Sequence, residues 1–122
     1  MDWEKYKVEL NGEVTYVSPY LIKSRNISDD VVEQLKESHV ERLRIFQEAR
    51  ATTDVPTLQR LAAEFEKLEF RQQALWGFPQ SSDFHRWFEF PGCDCPKMDN
   101  EDRLGTPYRV ISETCVIHGN KQ

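Results

Sequence analysis

The chain has 122 residues, 39% of them hydrophobic and 30% charged, with a net charge of -5. That length argues for one domain, or one domain plus an appendage, its apolar runs are far too short to cross a membrane, and the charges in the opening MDWEKYK stand where a secretory signal has its apolar core, so the chain is expected in the cytoplasm. Basic and acidic residues are interspersed, 4 and 4 in residues 1–27, 4 and 6 in 28–50, 3 and 4 in 51–79, and 5 and 7 in 80–122, so no segment has the basic excess that phosphate contacts need.

Residues 1–27 read as a β-hairpin. KVEL and EVTYVS flank Asn11-Gly12, the pair favoured where both central residues of a type I′ turn take positive φ. A two-residue loop sets Val8 opposite Thr15 and Tyr6 opposite Val17. A lone hairpin is marginal in water, so this one must pack on another element.

Residues 28–77 read as an antiparallel helical hairpin. Ser28 is the expected N-cap, with Asp29 and Asp30 in the first turn, where acids suit the helix dipole. The stripe Val32, Leu35, His39, Leu43, Phe46 repeats every three or four residues. ATTDVP breaks the pattern, with Asp54 as the next cap and Pro56 tolerated in a first turn. The second stripe runs Leu58, Leu61, Phe65, Leu68, Gln72, Leu75, and Gly77 followed by Pro79 stops it. Helices of about 20 residues and roughly 30 Å follow, and a short connection forces them side by side. His39 is expected as a partly buried histidine bonded to a neighbouring element, because no nucleophile or acid partner accompanies it. The arginines of the first helix have acidic neighbours and are expected in surface ion pairs.

Residues 80–122 read as a metal knuckle. FHRWFEF, 84–90, alternates like a strand with Phe84, Phe88 and Phe90 on one face; PGCDCP is a turn; KMDNEDRLGTP is a polar loop; YRVIS, 108–112, is a second short strand. Cys93-Asp94-Cys95 is separated by 19 residues from Cys115-Val116-Ile117-His118, and each pair is followed by a turn former, Pro96 or Gly119. Zinc takes four soft or borderline donors in a tetrahedron, and two ligands a residue or two apart sit naturally on a tight turn. All three cysteines of the chain are thereby used, and His118 supplies the fourth donor. His85 and Asp94 are the substitute ligands, and a redox pair at Cys93 and Cys95 is the weaker reading because redox pairs favour CxxC. A closed Cys₃His set carries a formal charge of about -1 on zinc and has no open position, so it holds a fold together rather than catalysing.

The C-terminal third, FHRWFEFPGCDCPKMDNEDRLGTPYRVISETCVIHG, resembles a segment of small uncharacterised zinc-binding proteins of tailed bacteriophages. LIKSRNISDDVVEQL and LEFRQQALWGF are similar to the same group. The resemblance implies a host–virus setting, hence the host cytoplasm and a bacterial host factor as partner. It maps the ligands onto Cys93, Cys95, Cys115 and His118, the residues already chosen by spacing.

The expected fold is α+β: an N-terminal β-hairpin, an antiparallel two-helix hairpin, and a C-terminal zinc-ribbon-like knuckle with a small β-sheet. The expected function is a zinc-stabilised protein–protein interaction module and not an enzyme. Arg86, Trp87, Lys97, Arg103 and Arg109 are the candidate partner-binding residues, since aromatics and arginine dominate hot spots. The helical hairpin offers a homodimer interface. Nucleic-acid binding through Arg86, Lys97, Arg103 and Arg109 is the alternative, and an enzyme with a reactive Cys93 or His85 stands third.

Overall fold

The structure, a computed structural model, describes residues 2–78 and 86–119. In chain order it contains a single 3-10 turn at Glu4–Tyr6, strands β1 (Lys7–Leu10) and β2 (Glu13–Tyr16), helices α1 (Pro19–Ser24), α2 (Asp29–Arg50) and α3 (Val55–Trp76), a 3-10 turn at Trp87–Glu89, and helix α4 (Lys97–Glu101). The class is α+β, as the sequence specifies. Among the described residues no helix is long and apolar enough to cross a membrane.

The hairpin has the anticipated register, with Val8 opposite Thr15 in an antiparallel pair. The amide of Val17 donates to the Tyr6 carbonyl at 3.0 Å and extends the pairing by one step. Asn11 and Gly12 sit at φ of 52° and 84°, which is what a type I′ turn demands of its two central residues. One face of the hairpin lies on α2. Val8 and Val17 join Ile22, Val32, Leu35 and Leu43 in one apolar cluster. Gln47 of α2 donates to the Leu10 carbonyl at 2.8 Å, and Arg50 pairs with Glu13 at 2.6 Å. The short helix α1 is absent from the sequence reading. Its signal was local: the Ser18 hydroxyl accepts from the Leu21 amide at 3.3 Å, and Pro19 occupies the first helical position.

The helical hairpin starts and stops where its caps dictate. Ser28 Oγ accepts from the Val31 amide, and an Asp54 carboxylate oxygen accepts from the Thr57 amide at 3.1 Å. Gly77 ends α3 in the left-handed region at φ 84°, with its amide bonded to the Ala74 carbonyl. The two apolar stripes face each other. Ile45, Ala49, Leu58, Leu61, Ala62, Phe65 and Leu68 form the second cluster, and Phe90 inserts into it from the C-terminal segment. Phe46, Phe65 and Phe90 stack with centroid separations of 5.1 to 5.7 Å. Polar pairs bridge the helices at their margins, Arg42 with Glu69 and Arg44 with Glu64, and Arg44 also pairs within α2 with Glu41 and Glu48. The arginines thus stand in ion pairs, as their acidic neighbours foretell.

The C-terminal segment differs from its expected form. Residues 84 and 85 lie outside the described residues, and the rest of the 84–90 segment turns as a 3-10 helix at Trp87–Glu89 instead of running as a strand. The turn drives both Trp87 and Phe88 inward, at 3% and 0% exposure, where alternation would have sent one of them out. Residues 108–112 pair with no strand among the described residues. The expected polar loop begins with α4, whose Asn100 takes the place of a neighbouring strand. The knuckle is therefore built from turns and one short helix, and the small sheet expected there does not form among the described residues.

Candidate metal centre

Two turns bring the four anticipated donors together. The first follows Phe90, whose carbonyl accepts from the Cys93 amide at 3.0 Å. Gly92 makes this turn at φ 89°, close against Leu58 and Ile117, so the loop is seated directly on α3. The second runs from Ser112 to Gly119. The Ser112 carbonyl accepts from the Cys115 amide at 3.1 Å, and the Cys115 carbonyl accepts from the Gly119 amide at 2.8 Å. A Cβ on Gly119 would stand 1.8 Å from the Ser112 carbonyl oxygen, so this position admits glycine alone. Across the two loops the Thr114 hydroxyl donates to the Asp94 carboxylate at 2.7 Å. Asp94 clasps the loops together and is not one of the clustered donors.

The donor atoms of Cys93, Cys95, Cys115 and His118 all lie within 4.8 Å of one another. The His118 Nδ1 is 3.2 Å from Cys93 Sγ, 3.6 Å from Cys115 Sγ and 3.9 Å from Cys95 Sγ. Cys93 and Cys115 approach at 3.6 Å between sulfurs. The two pairs share one local design. The Cys95 amide donates to Cys93 Sγ at 3.5 Å, and the His118 amide donates to Cys115 Sγ at 3.4 Å. Backbone N–H groups aimed at sulfur offset the charge of a thiolate.

The thiols respond differently to this setting. Burial pushes the Cys93 thiol well above its ordinary range, against the pull of the Cys95 amide. Burial raises Cys95 as well, with the Ser112 amide opposing it. Burial would raise Cys115 too, but backbone donors at His118, Asp94 and Ile117 outweigh it and leave its thiol below the ordinary value. Three sulfurs in such close quarters cannot all ionise without a cation among them. Cys95 and Cys115 are buried and Cys93 is half-buried, so a bound ion would be shielded from solvent on most sides.

Comparison with protein families, with curated proteins and with solved structures finds nothing that matches this chain. The reading of the centre therefore stands on its own geometry.

The remaining site candidates separate cleanly. Trp87 is buried against the centre, its ring edge-on to His118 at 4.8 Å, so it supports the ligand instead of facing a partner. The Arg109 guanidinium lies over the Trp87 ring at 4.8 Å and approaches Glu66 of α3 at 4.0 Å. Arg86 is exposed and paired with Glu89 and Glu101 at 2.9 and 2.7 Å. Lys97 and Arg103 are exposed. His85 lies outside the described residues. His39 is not one of the clustered donors; its Nδ1 stands 2.8 Å from the Leu35 carbonyl oxygen and 3.2 Å from Gln72 Nε2. Sequence reasoning missed Asn100 and Trp87 as supports of the centre. The asparagine sat in what looked like a polar loop, and nothing in its local pattern marks it as buried.

Proposed function

We propose that the chain is a small zinc-stabilised protein–protein interaction module, encoded by a tailed bacteriophage and acting on a host or viral protein in the host cytoplasm. The observation that carries the metal is the donor set itself. Zn–S bonds of about 2.3 Å and Zn–N bonds of about 2.0–2.1 Å in a tetrahedron separate the donors by roughly 3.5–3.8 Å. The separations around His118 Nδ1, 3.2, 3.6 and 3.9 Å, and the 3.6 Å between Cys93 and Cys115 centre on that span. Three thiolates and one imidazole are a zinc set of the structural kind, with no position left for a substrate. When bound, zinc supplies a crosslink between the 93–95 and 115–118 turns. The chain's own residues do the rest: Trp87 orients His118, and Asp94 holds Thr114.

An interaction role is supported by what stays exposed. The stripes of α2 and α3 pack on each other, on the β-hairpin and on Phe90, so the proposed partner surface is placed outside them. Trp3, Tyr16 and Tyr20 form an edge-stacked aromatic group on the surface, and Met98 and Tyr108 stand 81% and 68% exposed beside the knuckle. Nucleic-acid binding is disfavoured by the engagement of Arg86 with two carboxylates.

The test has two arms. Metal analysis of purified chain should give one zinc per chain, lost with any of Cys93→Ser, Cys95→Ser, Cys115→Ser or His118→Ala. Pull-down from a bacterial lysate should capture a defined protein with zinc-loaded chain and not with chelated chain. A chain free of zinc, or one that retains only oligonucleotides in a salt-sensitive way, sinks the proposal.

A further inference from the structure

We propose that the metal centre is a peroxide-sensitive switch, in which Cys93 and Cys115 close a disulfide and the zinc is released. The inference rests on the zinc reading of the site and adds its regulation. Its basis is an asymmetry in exposure among the three cysteine residues. Cys95 and Cys115 are 3% and 0% exposed, whereas Cys93 is half-buried. Residues 93–99 line an open groove at this edge of the knuckle, so a small oxidant arriving from solvent meets Cys93 first. The nearest sulfur on the opposite turn is that of Cys115, at 3.6 Å.

The chemistry balances as follows. A thiolate is the nucleophilic form of cysteine, and it is the form in which a zinc-bound Cys93 would be held. The Cys93 sulfur attacks one peroxide oxygen; an S–O bond forms, the O–O bond breaks, and hydroxide leaves. The product is a sulfenic acid, which condenses with a neighbouring thiolate. The Cys115 sulfur then attacks the Cys93 sulfur; an S–S bond forms, the S–O bond breaks, and a second hydroxide leaves. Two protons from solvent turn the hydroxides to water. The two sulfurs together lose two electrons, and the peroxide gains them.

Cys115 is the resolving partner because of where it sits. A bridge from Cys93 to Cys95 must close over a single intervening residue, Asp94, against the preferred span of a disulfide. A bridge to Cys115 joins two separate turns already held face to face by Asp94 and Thr114. Only Cys95 and His118 then remain as donors, and two donors do not satisfy zinc.

The experiment uses the full zinc-loaded chain and hydrogen peroxide. Released zinc is followed with a chromogenic chelator, and disulfides are mapped by mass spectrometry of a non-reduced digest. The expected result is loss of the one bound zinc in step with a Cys93–Cys115 bridge, with Cys95 still open to alkylation, and recovery on adding dithiothreitol and zinc. Retention of zinc under peroxide overturns the switch, as does zinc loss with a bridge at Cys95 or with no bridge. A chain that holds no zinc before peroxide is added overturns the metal reading and the switch together. A zinc-loaded chain that fails only in peroxide overturns the switch alone.

Discussion

The side-chain amide of Asn100 bonds to both backbone groups of Val110, donating to its carbonyl at 2.8 Å and accepting from its amide at 2.9 Å. One residue's N–H and C=O face the same way only in extended backbone, so Asn100 does for Val110 what a neighbouring strand would do. The same Nδ2 also reaches the Pro96 carbonyl, and the residue is 3% exposed. Asn100→Ala orphans the amide and carbonyl of Val110, while the Pro96 carbonyl keeps its bond from the Asn100 amide; the expected cost is about 2 kcal/mol. Asn100→Asp keeps the acceptor but sets a buried carboxylate oxygen against the Pro96 and Val110 carbonyl oxygens, and is expected to cost more than alanine. Chemical denaturation of the zinc-loaded chain measures both. An alanine variant as stable as the parent would show that Val110 is not held this way.

Metal removal should act locally. The 93–95 and 115–118 turns are joined by the four donors, by Asp94 with Thr114, and by packing of Trp87, Phe88, Cys95 and Cys115. The β-hairpin shares with α2 a cluster that includes no residue of 86–119, whereas the cluster between α2 and α3 takes in Phe90 and is touched by Cys93 and Ile117. Binding energy at a structural zinc is folding energy for whatever the zinc ties together. Chelation is expected to raise amide exchange across 86–119 by orders of magnitude while α2 and the β-hairpin keep their protection. Uniform protection after verified zinc loss would refute the structural role.

Legibility differed along the chain for physical reasons. Hairpin register, helix ends and ligand set each follow from neighbours in sequence: Asn11-Gly12, Ser28, Asp54 and Gly77 all act on residues within a turn of themselves. The C-terminal elements do not. Trp87 turns inward because His118, 31 positions away, needs a wall and Arg109 lies over the indole. Residues 108–112 have strand-forming side chains, yet their edge partner is a side chain on α4. Alternation in 86–90 and in YRVIS described propensity correctly, and tertiary packing overruled it.

Gly119 is expected to be the least replaceable glycine of the knuckle. Its Cβ would strike backbone, the Ser112 carbonyl oxygen at 1.8 Å, next to the ligand His118. Gly119→Ala must therefore open the turn that carries Cys115 and His118, at about 3 kcal/mol or more. Gly12→Ala, by contrast, meets nothing within 4 Å and pays only for its positive φ, about 1 kcal/mol. Zinc titration and thermal melting of the two variants distinguish them. Equal zinc affinity in both would contradict the packing at Gly119.

Acid should weaken the helical hairpin through His39. Burial lowers its pKa from the ordinary 6.5, the Leu35 carbonyl opposes this, and Arg42 adds to the lowering. The unfolded chain therefore takes up a proton near pH 6.5 that the folded chain refuses, and stability falls with pH from there until the folded value is passed. Glu69 acts in the opposite sense. Burial raises it above 4.5 despite Arg42, so the folded chain takes up that proton first and gains stability as pH falls toward 4.5. His39→Gln should flatten the loss below pH 6.5, and Glu69→Gln should deepen it. The metal ligands also protonate in acid, so the readout is each variant's difference from the parent at matched pH. Parallel profiles for parent and His39→Gln would reject the assignment.

Ser38 is the one buried side-chain oxygen without a hydrogen-bond partner among the described residues, and it is 0% exposed. A hydroxyl taken from water with nothing to bond costs about 1–3 kcal/mol. Alanine removes that oxygen and leaves a hole smaller than a methyl group, while also raising helix propensity within α2. Ser38→Ala is thus expected to stabilise the chain by about 1 kcal/mol, against the usual direction for a buried truncation. The gain should appear as a higher denaturation midpoint with an unchanged slope. Destabilisation would mean that Ser38 Oγ has a partner, with ordered water the first to seek by high-resolution crystallography.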